Sequence, residues 1–372
     1  MSSNNRCTNL WSLFGLLLAI TLIAGISFPS ISMGKLSSLM TSSHGVSADN
    51  SSSRSSITNL HVVGSPSSSS HLYFAPPPPS PLLSNGSNKV IMIGFDDSYK
   101  SQILYAKPLL DKYGFKASFF EVCTWIGKTK ERQTWQDIAA LERDGMDIES
   151  HTMTHAHLPK LLSSPSQLDY EIGGSKQCLA NHGINATIFG YPLNLGSNNL
   201  KIVNVVAKYY NLARSGSARL MFLNCTGYSK DMQTDCRTYS DSGKLTKVNR
   251  YDVKDDSFRH VDSYHNYSPS EEFQEFVQRV NSQIRYNTNG KINAIPIITY
   301  HNLTNSMQDY NNMASTITVD LFAQQMKYLH DNGFRVLLLN QLSYDPNNKV
   351  FVLKNVPLSS YGIANGLKER EL

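Results

Sequence analysis

Two carboxylates and two histidines stand out by type and spacing. Asp96 and Asp97 are adjacent and close the apolar run Val90-Ile91-Met92-Ile93. His151 and His155 lie four apart, directly after the apolar/acidic run Met146-Asp147-Ile148-Glu149. Two histidines and one carboxylate are a common ligand set for a catalytic zinc that keeps positions open for water and substrate. A second carboxylate beside such a ligand is what metal-assisted hydrolysis needs as a general base.

Those residues must be held by a scaffold, and its elements can be read from the pattern. From Lys89 onward short apolar runs alternate with helical periodicity. Strands are expected at 89–95, 117–122, 146–150, 186–191, 211–214, 295–300 and 335–339. Helices are expected at 101–113, 134–144, 165–182, 198–208, 270–285 and 318–332. Tyr113-Gly114-Phe115, Asp144-Gly145-Met146 and Asn332-Gly333-Phe334 share one form, in which a helix ends, glycine follows and a strand begins. Such alternation predicts a parallel sheet with outer helices, here an incomplete, distorted (β/α)7 barrel. Active residues of such barrels sit at the C-terminal ends of strands. Asp96, Asp97, His151, Tyr191, Arg214 and His301 all fall at or just past an expected strand end. Residues 217–268 are polar, rich in Asp, Tyr and Ser, and weakly periodic, which predicts an insertion over the barrel mouth.

The rest of the chain sets the context. Residues 1–28 contain the uncharged apolar run Leu10–Phe28 behind Arg6, the pattern of a signal peptide or an uncleaved signal anchor. Residues 29–87 are rich in Ser and contain the tract Pro76–Pro79, the composition of a disordered spacer. Residues 88–345 form the expected catalytic domain and 346–372 a C-terminal tail. Export with the catalytic part outside the cytoplasm is the expectation, with membrane attachment if the first segment is retained. Six N-x-[ST] sequons, at Asn50, Asn85, Asn185, Asn224, Asn266 and Asn302, agree with export. Beyond Cys7 the cysteines are Cys123, Cys178, Cys225 and Cys236, which allow one or two disulfides or free buried thiols. No C-x-x-C pair is present, which argues against a structural zinc ribbon or finger. The net charge, 34 basic minus 29 acidic residues or +5, is mild and scattered, so no nucleic-acid partner is expected.

Phe95-Asp96-Asp97 followed by His151-Thr152-Met153-Thr154-His155 resembles the first two motifs of the polysaccharide deacetylases, the NodB-homology enzymes of carbohydrate esterase family 4. The family's T-F-D-D-G reads Gly94-Phe95-Asp96-Asp97-Ser98 here, and its H-[ST]-x-x-H is matched in full. The resemblance covers about residues 88–345. It implies that Asp97, His151 and His155 hold a divalent metal and that Asp96 is the base. Zinc suits the set, and cobalt, nickel or manganese could occupy it. His157 is expected to be structural. The third motif, R-x-P-x-[GY], corresponds to Gly190-Tyr191-Pro192-Leu193-Asn194, with glycine in place of arginine as in an F-x-Y-P variant. In the family that arginine orients the base. Arg214 ends the next strand and is expected either to replace it or to serve a structural ion pair. By analogy the Tyr191 N–H would serve the oxyanion. The fourth motif, built on an aspartate and a tryptophan, has no match. The fifth, Leu-x-His, corresponds to the strand ending at His301, which would protonate the leaving amine. Pro192 and Trp125 are expected to line the substrate groove, and Asn302 to carry no glycan because one would crowd the pocket.

The activity these features imply is removal of N-acetyl groups from a carbohydrate polymer or surface glycan. Hydrolysis of another amide or an O-acetyl ester, and a non-catalytic glycan-binding protein, are the alternatives.

Overall fold

The first barrel strand shows why the site forms where it does. Strand β1 (Val90–Asp96) is buried along its whole length, as expected of a strand covered on both faces. Its residues alternate between two apolar clusters. Ile91, Ile93 and Phe95 pack outward with helix residues such as Ile138, Leu141, Phe322 and Leu329. Val90 and Met92 face the barrel interior with Phe120, Ile188, Leu212, Val253 and Ile297. The same parity carries Asp96 to the interior at the strand's C-terminal end. The computed structural model describes residues 88–216, 218–223, 250–259, 266–348 and 350–354. The expected signal segment, the linker up to residue 87, Cys225, Cys236 and the sequons at Asn50, Asn85 and Asn224 lie outside the described residues. Among the described residues no helix is long and apolar enough to cross a membrane.

The remaining strands are β2 (Ser118–Glu121), β3 (Asp147–Ser150), β4 (Ile188–Gly190), β5 (Leu212–Gly216), β6 (Val253–Ser257) and β7 (Ile297–Tyr300). Each pairs in parallel with the next, and β7 pairs back onto β1 through Met92↔Ile297 to Phe95↔Tyr300, closing a seven-stranded barrel. An eighth strand, β8 (Arg335–Leu337), pairs only with the first half of β1, Val90 to Met92. The sequence pattern assigns 335–339 to the barrel and 217–268 to an insertion. The structure instead takes its sixth strand from within 217–268. That strand escapes detection because Val253 is its only apolar residue and the next inward position carries Asp255. The expected C-terminal tail also contains structure: Val350–Leu353 is buried and pairs antiparallel with Leu342–Asp345.

Helices flank the barrel at the six expected places, and a short one at Met307–Asn312 adds to them. They are α1 (Lys107–Lys112), α2 (Trp135–Arg143), α3 (Pro165–Asp169), α4 (Ser175–Ala180), α5 (Leu200–Tyr209), α6 (Pro269–Asn281), α7 (Met307–Asn312) and α8 (Val319–Asp331). Capping boxes start α2, from Thr134 and Asp137, and α6, from Ser268 and Glu271. Gly145 and Gly333 end helices at φ 77° and 68°, the left-handed conformation that only glycine adopts at little cost. A disulfide joins Cys123, just past β2, to Cys178 in α4, with their Cα atoms 6.5 Å apart.

Candidate active site

Beyond β1 the chain turns sharply, with Asp97 and Ser98 both in the left-handed region at φ 73° and 55°. Such conformations are uncommon for residues other than glycine and cluster at functional sites. The turn puts Asp97 beside Asp96 instead of on the opposite side of the strand. Ser98 stands where the family motif has glycine, and its hydroxyl accepts a bond from the Val122 N–H at 3.0 Å. After β3 a similar turn follows, with Thr152 at φ 72° and His155 at φ 62°. The Thr152 hydroxyl accepts the His155 N–H at 2.9 Å.

The two turns bring Asp97, His151 and His155 together, with one ligand atom from each lying within 4.8 Å of the others. Asp97 Oδ1 is 3.3 Å from His155 Nε2 and 3.7 Å from His151 Nε2. Ligands on tetrahedral arms of about 2.0–2.2 Å stand roughly 3.3–3.6 Å apart, so the spacing fits a common ion. Asp97 Oδ1 is also buried without a hydrogen-bond partner, a state that a cation would resolve. His151 Nδ1 lies 2.9 Å from the Gly190 carbonyl. A proton on Nδ1 for that bond leaves Nε2 with its lone pair toward the carboxylates. Burial outweighs the attraction of Asp96 and Asp97 and lowers the His151 pKa to about 4, which keeps the ring neutral and able to bind metal.

Asp96 stands on the inner side of this triad. Its Oδ2 is 3.7 Å from His151 Nε2 and 3.9 Å from His301 Nε2. Its Oδ1 accepts from Arg214 Nη2 at 2.5 Å, and Arg214 Nη1 donates to Asp255 Oδ2 at 2.5 Å. Arg214 is 1% exposed and lies over the Phe120 ring, 4.1 Å from its centroid. Asp255 also accepts from the Thr299 hydroxyl at 2.5 Å. Burial raises the Asp96 pKa, but Arg214, then His151 and His301, outweigh it and bring the value to about 2. Asp96 is therefore ionised throughout the neutral range.

A further clamp links the two ends of this array. Gln102 Nε2 donates to the carbonyls of both Asp96, at 2.6 Å, and His301, at 2.9 Å. Gln133 donates to Gln102 Oε1 at 2.7 Å. Gln102, Gln133 and Asp255 are functional neighbours that their sequence context does not reveal. An alternating inward position in 253–257, counted as a strand, was the available signal for Asp255.

The array lies at the base of a cavity of about 580 Å³ lined by Asp96, Asp97, His151, His155 and His301, with Leu193 and Arg259 among its wall residues. Pro192 and Trp125, expected in the groove, are not among the lining residues. Pro192 is buried at the start of the turn after β4, and Trp125 stacks on His155 with ring centroids 5.2 Å apart. Tyr191 does line the cavity. Its N–H, however, donates to the Arg214 carbonyl at 3.0 Å and is used by the barrel, which corrects its expected oxyanion role. His157 is not among the residues that line the cavity. Asn302 accepts from the Ser101 hydroxyl at 2.8 Å and donates to the Thr316 hydroxyl at 3.3 Å.

Residues 84–212 match the family model described as polysaccharide deacetylase. The curated protein named "Putative polysaccharide deacetylase YxkH" of Bacillus subtilis (strain 168) is 36% identical over 108 residues, which cover 29% of this chain and 38% of that protein. The chain thus spans well under half the length of that relative. A family 4 carbohydrate esterase from Streptomyces lividans, solved with acetate, superposes with TM-score 0.43 at 15% identity, over 73% of this chain and 99% of that one. BC0361, a polysaccharide deacetylase from Bacillus cereus, superposes with TM-score 0.37 at 19% identity, over 51% of each chain. Over residues 84–212 this chain is thus similar to the polysaccharide deacetylases.

Proposed function

We propose that this chain is a metal-dependent hydrolase that removes N-acetyl groups from a glycan. The observation that carries the proposal is the position of Asp96 Oδ2, between His151 Nε2 at 3.7 Å and His301 Nε2 at 3.9 Å. A base on one side of the metal ligands and a titratable imidazole on the other are the two proton-handling groups that amide hydrolysis requires.

Asp97, His151 and His155 would hold the ion, with zinc the best match to the donor set and cobalt, nickel or manganese the alternatives. Bound there, a divalent ion lowers the pKa of water and polarises a carbonyl. Asp96 accepts a proton from the attacking water at Oδ2, while Arg214 and Asp255 fix its Oδ1. His301 Nε2 delivers a proton to the departing nitrogen, so amide and water become amine and acetate. The cavity walls give the sugar a surface to dock against. An exported location is part of this proposal, supported by the apolar run Leu10–Phe28 and by the Cys123–Cys178 disulfide.

The test is acetate release from N-acetylglucosamine oligomers by the full-length, zinc-loaded chain, with Asp96→Asn as control. Release that disappears in the variant supports the proposal. Release only from O-acetyl esters moves the activity to that bond. Zinc binding without turnover of any acylated glycan favours a binding protein.

A further inference from the structure

We propose that Arg132 is a positioning residue on which the metal-binding geometry depends, a role that rests on Asp97, His151 and His155 being the ligands. Arg132 reaches both ligand-bearing turns without being a ligand. Its Nη1 donates to the carbonyl of Asp97. Its guanidinium carbon is 4.2 Å from the Trp125 ring centroid and 4.2 Å from the Tyr99 ring centroid. Trp125 in turn stacks on His155 at an interplanar angle of 28°. A continuous ladder therefore runs Tyr99–Arg132–Trp125–His155.

The backbone reinforces it. Tyr99 and Arg132 form an antiparallel bridge, flanked by Lys100 N–H to Glu131 O at 2.8 Å and Gln133 N–H to Ser98 O at 2.8 Å. At the other end Cys123 N–H donates to Thr152 O at 3.2 Å and Thr124 N–H to Met153 O at 2.9 Å. The segment 123–133 thus straps the Asp97 turn to the His155 turn. It does so where both ligands are held at positive φ, 73° and 62°. Strained conformations persist only when surrounding structure fixes them.

Arginine suits the position for a geometric reason. Its planar guanidinium can stack on two rings and still donate in its own plane, whereas an ammonium cannot do both. Substitution by lysine keeps the charge and removes the ladder.

The experiment uses the full-length chain, stripped with a chelator and titrated with zinc against a chromophoric competitor. Thermal unfolding of the metal-free forms reports folding. In Arg132→Ala and Arg132→Lys the zinc dissociation constant should rise about 10–100-fold, the effect typical of losing a group that orients a ligand. Values within twofold of wild type in a folded variant would overturn the proposal. Should Arg132→Ala not fold, Arg132→Lys decides by the same criterion. If the wild type itself fails to bind zinc, the ligand assignment falls first and this inference with it.

Discussion

Gly190 and Arg214 are register partners on adjacent barrel strands, and a Cβ placed on Gly190 would lie 3.0 Å from Arg214 Nη2. The same Cβ would lie 2.9 Å from His151 Nδ1 and 2.9 Å from the Phe120 ring. A side chain at 190 and the guanidinium of Arg214 compete for one space. Arg214, from the next strand, is the arginine that contacts Asp96 in this structure. Gly190→Ala should cost roughly 1–3 kcal/mol in stability, the range for overpacking a filled core, and should lower kcat/KM at least tenfold. Arg214→Ala should be worse, because it leaves two buried carboxylates unpaired, a loss of about 3–5 kcal/mol. Gly190→Arg combined with Arg214→Ala should recover at least about tenfold in kcat/KM, or about 1.4 kcal/mol, over Arg214→Ala alone. Denaturation midpoints and steady-state kinetics check all three, and no recovery in a folded double variant would sink the exchange.

Asp255→Asn keeps the shape of the site but removes the second partner of Arg214. The guanidinium is then free to pair fully with Asp96 and weaken it as a base. General bases contribute about 10²–10⁴ in rate, so kcat should fall by up to about 10² with KM unchanged. A raised KM at constant kcat would place Asp255 in substrate binding instead.

Glu121 is fully buried at the end of β2, and its pKa rises to about 7 from an ordinary 4.5. Burial is the main cause, opposed by the Ser98 hydroxyl and reinforced by Asp96 and Asp97. The folded, metal-free protein therefore binds this proton more tightly than the unfolded chain. Its contribution is fully present below pH 4.5 and is lost as pH rises through 7. The difference of 7 − 4.5 pH units sets an upper bound of about 3 kcal/mol. Glu121→Gln should gain stability relative to wild type between pH 5 and 8 in chelator-treated protein, by urea denaturation. A constant difference across that range would rule the titration out.

Removing the Cys123–Cys178 crosslink frees a span of 55 residues in the unfolded chain. The chain-entropy relation gives about 4 kcal/mol for a loop of that size. The double serine variant should unfold at lower denaturant, and a reductant should move the wild type to the same midpoint. A wild-type midpoint that ignores the reductant would argue against the bond.

The candidate metal-site residues Asp97, His151 and His155 were legible because they sit in two short segments at strand ends, where apolar runs mark the strand and polar residues the turn. Helix boundaries were legible for the same local reason. Asp255 was not, because Val253 is the only apolar residue of its strand and a buried ion pair takes the next inward position. The Tyr191 N–H was misassigned because its commitment to Arg214 follows from sheet register, which no single segment encodes. Trp125 reads in the sequence as a groove residue and Arg132 carries no motif, since their contacts arise from stacking between distant turns. The pattern predicts the strand number but an incomplete barrel, with 335–339 in place of 253–257; the structure closes it through the β1–β7 pairing.

The half-paired edge of β1 has a consequence for synthesis. Val90 to Met92 emerge early from the ribosome, yet their partner β8 spans Arg335–Leu337, near the end of the described chain. All seven barrel strands precede that partner. Until it is made, a fully apolar strand segment presents an open hydrogen-bonding edge, the kind that recruits other chains. The nascent protein can thus assemble its chemistry before it conceals its stickiest surface, and whatever attends it during synthesis must cover that edge in the interval.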